Sequence, residues 1–159
     1  MKIAPTIIAL LLLALGATAQ AQNIEQLKEK AEQGDPEAQN LLGNAYYDGI
    51  GVPENYAQAV YWYRKASMQG HAQAQWNIGH SYFLGEGVPE DLGWAYSWFI
   101  LAKATGGLDE EHTELTDKVL DVLKDLFTHT QIKQAQQIAT QLHEEIQANI
   151  QANTTTNQP

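Results

Sequence analysis

The stretch GDPEAQNLLGNAYYDGIGVPENYAQAVYWYRKASMQ, residues 34–69, is followed at once by GHAQAQWNIGHSYFLGEGVPEDLGWAYSWFILAKAT, residues 70–105. The two copies align without a gap at a shift of 36 residues and share thirteen identical positions. Self-similarity with a period of about 20–50 residues is typical of stacked supersecondary units. The sequence therefore predicts a repeat architecture in which each copy shields its neighbour from water.

Each copy predicts two helices, here called the A helix and the B helix, joined by a glycine-rich turn. In the first copy, Asp35 is a candidate N-cap followed by Pro36 at the first helical position, and Asn55 is a candidate cap for the B helix. Between them, Gly49 and Gly51 supply backbone angles that residues with a Cβ atom avoid. The second copy repeats this order, so the sequence predicts two antiparallel helix pairs.

Glycine also occurs in the middle of each A helix, at Gly43 and Gly79. Glycine in a helix interior costs about 1 kcal/mol relative to alanine. Because both copies carry the same cost, we expect a neighbouring helix to approach each glycine too closely for a methyl group. The predicted structural repeat positions are Gly43, Tyr46, Gly49, Gly51 and Trp62 in the first copy, and Gly79, Tyr82, Gly85, Gly87 and Trp98 in the second.

The segments on either side of the repeats complete the predicted fold. Residues 23–33 have the apolar spacing of a short helix and would cap the stack at its N-terminal end. Two further helices within 109–150 would close the other end, and residues 151–159 are predicted to form a disordered tail. The fold class is thus all-α: a short right-handed solenoid of antiparallel helix pairs, forming one domain over residues 22–150.

The first 21 residues read as a secretory signal peptide. An apolar run from Ile3 to Leu15 is followed by small residues that suit cleavage after Ala19 or Ala21. An uncleaved membrane anchor is the alternative, but the run is shorter than the ~20 residues that cross a bilayer. We therefore expect a periplasmic or secreted protein with no membrane span after cleavage.

Composition excludes several classes of function. The formal net charge of −10 disfavours binding to nucleic acid, and the chain has no cysteine for a disulfide or a thiolate metal site. None of its five histidines forms a helix-spaced zinc motif. No serine lies in an acyl-enzyme signature. The sequence therefore predicts no catalytic residue, no metal and no cofactor.

The outward face of the A helices is the predicted binding surface for another protein or peptide. Aromatic and amide side chains recur there, a composition that suits a binding groove. The candidate residues are Asn40, Asn44, Tyr47, Trp76, His80 and Phe83. The alternative for Trp76 is that the closing helices cover it.

These repeats resemble the Sel-one-like repeat (SLR) family of tetratricopeptide-like helical solenoids. The residues that carry the resemblance in the first copy are Ala38, Leu42, Gly43, Tyr46, Gly49, Gly51, Val52, Ala59, Trp62, Tyr63, Lys65, Ala66 and Gly70. Those in the second copy are Ala74, Gly79, Tyr82, Gly85, Gly87, Val88, Asp91, Ala95, Trp98 and Ala102. The second copy departs from the pattern at residues 99–101, where the family usually has Tyr-x-Lys.

The resemblance implies a non-catalytic interaction module, because exported bacterial members of this family act as scaffolds or adaptors in the cell envelope. It implies that the partner is another protein or a peptide. Hypothesis one is therefore an exported adaptor that binds its partner on the A-helix face. The alternative is a peptidoglycan-associated glycan-binding protein or hydrolase that uses groove carboxylates and Trp76.

Overall fold

The computed structural model describes residues 23–156 and shows seven helices and no strand within that range. The first helix, α1, covers residues 23–32. The repeats form α2 (Pro36–Asp48), α3 (Tyr56–Ser67), α4 (Ala72–Leu84) and α5 (Leu92–Thr105), and they are followed by α6 (Glu110–Leu126) and α7 (His129–Thr156). The predicted all-α solenoid of antiparallel helix pairs is confirmed. The predicted signal peptide lies outside the described residues.

Side-chain caps fix where most helices begin. The carboxylates of Asp35, Asp91 and Asp109 and the amide oxygen of Asn55 each accept hydrogen bonds from backbone N–H groups of the helix that follows. These caps satisfy N–H groups that have no partner inside the helix. The predicted N-caps Asp35 and Asn55 are therefore confirmed.

Helix α7 begins with a pair of side chains that accept hydrogen bonds from two backbone N–H groups. At the start of α7, Thr128 N donates to Gln131 Oε1 over 2.9 Å, and Gln131 N donates to Thr128 Oγ1 over 3.3 Å. This reciprocal pair is a capping box.

The same contacts recur at the 36-residue spacing. Gln39 Nε2 donates to the carbonyl of Ala31 at 3.0 Å, and Gln75 Nε2 donates to the carbonyl of Ser67 at 3.4 Å. Helix α1 therefore makes the same contact with α2 as α3 makes with α4. It occupies the position of a B helix, and no A helix precedes it among residues 23–156.

The close approach predicted at the mid-helix glycines is confirmed. A Cβ atom built on Gly43 would lie 2.5 Å from Tyr63 Cδ1, and one built on Gly79 would lie 3.0 Å from Phe99 Cδ1. In both repeats the aromatic ring belongs to the B helix of the same pair. The missing methyl group thus lets each A helix pack directly under a ring.

The closing helices pack against the second repeat and extend back toward the first. Leu120 and Leu123 of α6 and Ala135 of α7 join a core with Tyr96 and Phe99. Further along α7, Ile146 enters the core shared by both repeats, and Ile150 lies against Gly70 in the loop between α3 and α4.

Helix α7 continues through six residues of the predicted tail, 151–156. Its last turns include Thr154 and Thr155, whose hydroxyl groups donate to the carbonyls of Ile150 and Gln151. Residues 157–159 lie outside the described part of the chain. None of the helices between residues 23 and 156 is both long enough and apolar enough to cross a bilayer.

Candidate functional site

A groove of about 410 Å³ lies on the A-helix side of the stack. Helices α2 and α4 and the first turn of α6 form its walls, and one tyrosine of α3 contributes to it. Its lining residues are Asn44, Tyr47, Asp48, Tyr63, Gln73, Trp76, Asn77, His80, Asp109 and His112. Four of the six predicted binding residues are brought together here, namely Asn44, Tyr47, Trp76 and His80.

Three asparagines and a tyrosine connect the two A helices within the groove. Asn77 Nδ2 donates to Asn40 Oδ1 over 3.0 Å and to Asn44 Oδ1 over 3.1 Å. The hydroxyl of Tyr63 donates to the same Asn44 oxygen over 2.9 Å. These bonds fix the orientation of the amides. They leave Asn44 Nδ2 without an acceptor and Asn77 Oδ1 without a donor among residues 23–156.

Asn40 contributes to this network from a buried position and not from the groove surface. It lies on the side of α2 that faces α4, where its side chain is hydrogen-bonded to Asn77. The expectation that Asn40 faces the groove is therefore corrected.

Trp76 is also buried, with 9% of its surface exposed, so the expectation of an exposed aromatic is wrong. Its ring stacks on His80 at 5.2 Å between centroids, and His112 of α6 meets it edge-on at 4.6 Å. His112 is held in place by Asp109, whose carboxylate lies 2.8 Å from Nδ1. The first turn of α6 thus covers the tryptophan, which is the alternative considered from the sequence.

Phe83 lies apart from the groove. It lines a separate hollow with Lys118, Val119 and Val122 of α6. Of the six predicted binding residues, four line the groove. Asn40 is buried beneath it, and Phe83 belongs to another surface.

Burial and local hydrogen bonds set the protonation of the groove. Desolvation lowers the pKa of His80, and His112 lowers it further, while Glu86 acts in the opposite direction. The backbone N–H of His112 lowers the pKa of Asp109. A glycosidase needs a general acid with a raised pKa, so Asp109 is shifted in the wrong direction for that role. Within residues 23–156, no three His, Cys, Asp or Glu side chains group together as a metal site would require.

Part of the groove could have been found from the sequence. Gln73, Trp76, Asn77 and His80 occur at intervals of three, one and three, which place them on one face of α4. The predicted candidates occupy three matched positions of the two copies, 40 and 76, 44 and 80, and 47 and 83, so Gln73 and Asn77 fell outside the set. Asp109 and His112 belong to the helices outside the repeat, and the repeat pattern carries no signal for them.

A fold of stacked antiparallel helix pairs with a groove along the A helices defines a helical-repeat scaffold. The family pattern of the Sel1 repeat matches residues 36–71 and 72–105, within two residues of the predicted repeat boundaries. Residues 36–105 of the chain therefore form two Sel1 repeats. Sel1 repeats are protein-interaction modules in general and are not usually catalytic.

Known relatives support this assignment. The chain is 46% identical over 44 residues to the secretory immunoglobulin A-binding protein EsiB of Escherichia coli, over 28% of this chain and 9% of that protein. Its fold is similar, with a TM-score of 0.70 and 28% identity, to the crystal structure of a protective antigen of uropathogenic Escherichia coli that displays an SLR fold. That match covers 90% of this chain and 33% of the antigen.

A second solved structure, a Sel1 repeat protein from Oxalobacter formigenes, matches with a TM-score of 0.53 and 40% identity. This match covers 54% of the present chain and 66% of that protein. The chain therefore spans less than two thirds of each of these relatives.

Proposed function

We propose that this protein is an exported, non-catalytic interaction module of the cell envelope that binds an extended segment of a partner protein in the groove between α2, α4 and α6. The observation that carries the proposal is a pair of amide groups, Asn44 Nδ2 and Asn77 Oδ1, that have no hydrogen-bond partner among residues 23–156. One is a donor, the other is an acceptor, and both are held in place by neighbouring hydrogen bonds. A peptide main chain offers the complementary carbonyl and N–H groups.

The surroundings of this pair favour a peptide over a sugar or a reactive substrate. Tyr47 and the edges of Trp76 and His80 supply apolar contact beside the amides. The neighbouring carboxylate, Asp109, is bound by backbone and imidazole donors and stays ionised. Asp109 is therefore poorly suited to act as a general acid.

Relatives and the N-terminal sequence support the rest of the proposal. A related protein binds secretory immunoglobulin A, which is itself a protein partner. The apolar run that ends in small residues before residue 22 suggests export to the periplasm or beyond. Fractionation of cells that produce the protein, followed by N-terminal sequencing of the mature chain, tests this location.

Site-specific photo-crosslinking tests the binding face. A photoreactive phenylalanine analogue at Gln73, in the wall of the groove, is expected to form an adduct with a partner in producing cells. The same analogue at Gln58, which is exposed on α3 and does not line the groove, is expected to form none. Adding Asn44→Leu with Asn77→Leu should abolish the Gln73 adduct. Equal adducts at both sites would contradict the proposal, and sedimentation with purified peptidoglycan would favour the glycan-binding alternative.

A further inference from the structure

Helix α6 has a second apolar face, most of which is exposed and of which only Val119 packs against the core. Its first face, with Leu120 and Leu123, is buried in the core. On the other, Leu115, Val122 and Leu126 are 43%, 57% and 67% exposed. A solvent-exposed helix face normally carries polar residues, so three exposed aliphatic side chains on one helix indicate a contact surface.

These side chains form one continuous strip together with Val119. The intervals between residues 115, 119, 122 and 126 are four, three and four, the spacing by which one helix packs along another. We call these four residues the α6 strip. Beside it lies the hollow of about 180 Å³ between Phe83, Lys118, Val119 and Val122, which can receive an apolar side chain from a partner.

The free flank of the α6 strip is acidic. At 100° per residue, Glu111, Glu114, Asp121 and Asp125 follow one another along this flank with a single cation, Lys118. Lys118 Nζ lies 2.7 Å from Glu114 Oε1 and Lys124 Nζ lies 3.2 Å from Asp121 Oδ1, so these two carboxylates are already paired. Glu111 and Asp125 form no ion pair within residues 23–156. The flank therefore offers unpaired negative charge next to an apolar surface.

We propose that the α6 strip docks a basic amphipathic helix of a partner protein. The apolar face of that helix would cover the strip, and its Lys or Arg residues would lie opposite Glu111 and Asp125. An anionic lipid surface is disfavoured, because the flank would repel its headgroups. A second copy of this chain is disfavoured as well, since two acidic flanks would face each other. The site is independent of the groove, because none of the four strip residues lines it.

The test measures binding of a fluorescent 18-residue Leu/Lys amphipathic peptide to the full chain by anisotropy. The variant Leu115→Ser with Leu126→Ser should bind at least about tenfold more weakly, because it removes two of the apolar contacts. The matched control is Leu41→Ser with Ile50→Ser, since these residues are similarly exposed at the opposite end of the stack. The control should bind like the unmodified chain.

The second part of the test examines the role of charge in binding. Raising the salt concentration should weaken binding of the Leu/Lys peptide, and a Leu/Glu peptide of the same length should not bind. Equal affinities for the strip variant and its control would overturn the proposal. So would a dimer, seen by analytical ultracentrifugation, that only the strip variant dissociates, because the occupant would then be a second copy. Unchanged photo-crosslinking at Gln73 in the strip variant would confirm that the two surfaces act separately.

Discussion

The ring of Tyr63 lies directly over Gly43, and the ring of Phe99 lies in the same way over Gly79. Tyr63 is buried and its hydroxyl group donates a hydrogen bond to Asn44. Moving the ring aside would therefore break this hydrogen bond and disturb the packing around it. Phe99 has no such bond, and the gap above Gly79 is wider. Both repeats therefore pack an aromatic ring of the B helix against a glycine of the A helix, but the contact is closer in the first repeat than in the second.

Gly43→Ala and Gly79→Ala should consequently have different effects. Alanine is favoured over glycine in a helix by about 1 kcal/mol, whereas overpacking costs about 1–3 kcal/mol. We expect Gly43→Ala to lower the free energy of unfolding by about 1–2 kcal/mol and Gly79→Ala to change it by less than about 1 kcal/mol. Urea denaturation followed by circular dichroism measures both. The reverse order would contradict the packing described here.

The turn glycines allow a similar matched pair. Gly87 and Gly34 both have positive φ, which costs a residue with a Cβ atom about 1–2 kcal/mol. A Cβ atom at Gly87 would also lie 2.9 Å from the backbone nitrogen of Ala57 in α3, whereas one at Gly34 would meet nothing within 4 Å. Gly87→Ala should therefore destabilise the fold by at least about 1 kcal/mol more than Gly34→Ala. Thermal unfolding of the two variants checks this, and equal melting temperatures would argue against the contact.

Acid should weaken the fold partly through His80. Burial and His112 lower the pKa of His80 from its usual 6.5, while Glu86 partly opposes the shift. The unfolded chain therefore binds a proton at a higher pH than the folded chain does. The contribution of neutral His80 to the free energy of unfolding is complete above about pH 6.5. It is lost as the pH falls toward the pKa that His80 has in the folded protein.

His80→Asn, which places here the residue found at the equivalent position 44, removes this titration. The free energy of unfolding of the variant should fall less between pH 7.5 and pH 5.5 than that of the unmodified protein. Urea denaturation at the two pH values gives both slopes. Identical slopes would show that His80 is not the titrating group.

The end of α7 should divide into a part that stabilises the fold and a part that does not. Ile146 is buried in the core shared by both repeats, so Ile146→Ala should cost about 2–5 kcal/mol. Residues 151–155 are exposed, so removal of residues 151–159 should change the free energy of unfolding by less than about 0.5 kcal/mol. Urea denaturation measures both, with the exposed Val122→Ala as a control. A large loss on truncation would indicate contacts that the structure does not show.

Much of the fold could be predicted because the decisive signals are local and occur twice. A cap such as Asp35 or Asn55 acts on the backbone only three residues away, and the 36-residue register aligns Gly43 with Gly79. The helix order, most helix starts and the close glycine contacts follow from these short-range rules.

The candidate site was harder to predict because it depends on which helix lies next to each A helix. Asn77 of α4 contacts α2, but its equivalent Leu41 in α2 has no preceding A helix in the described chain and is 44% exposed. The same position is thus polar and bonded in one repeat, and apolar and exposed in the other. Likewise, the burial of Trp76 depends on His112, whose position is set by closing helices that do not follow the repeat.

Helix α7 has a consequence for how the molecule melts. Units of a simple repeat array touch only their neighbours, so such arrays can lose their end units one at a time. Here one long helix runs along α5, enters the core shared by both repeats through Ile146, and reaches the α3–α4 loop at Gly70. Unfolding of the second helix pair, α4 and α5, would therefore also remove the contacts of α7 with the first pair, α2 and α3. The whole domain should consequently melt in a single cooperative step.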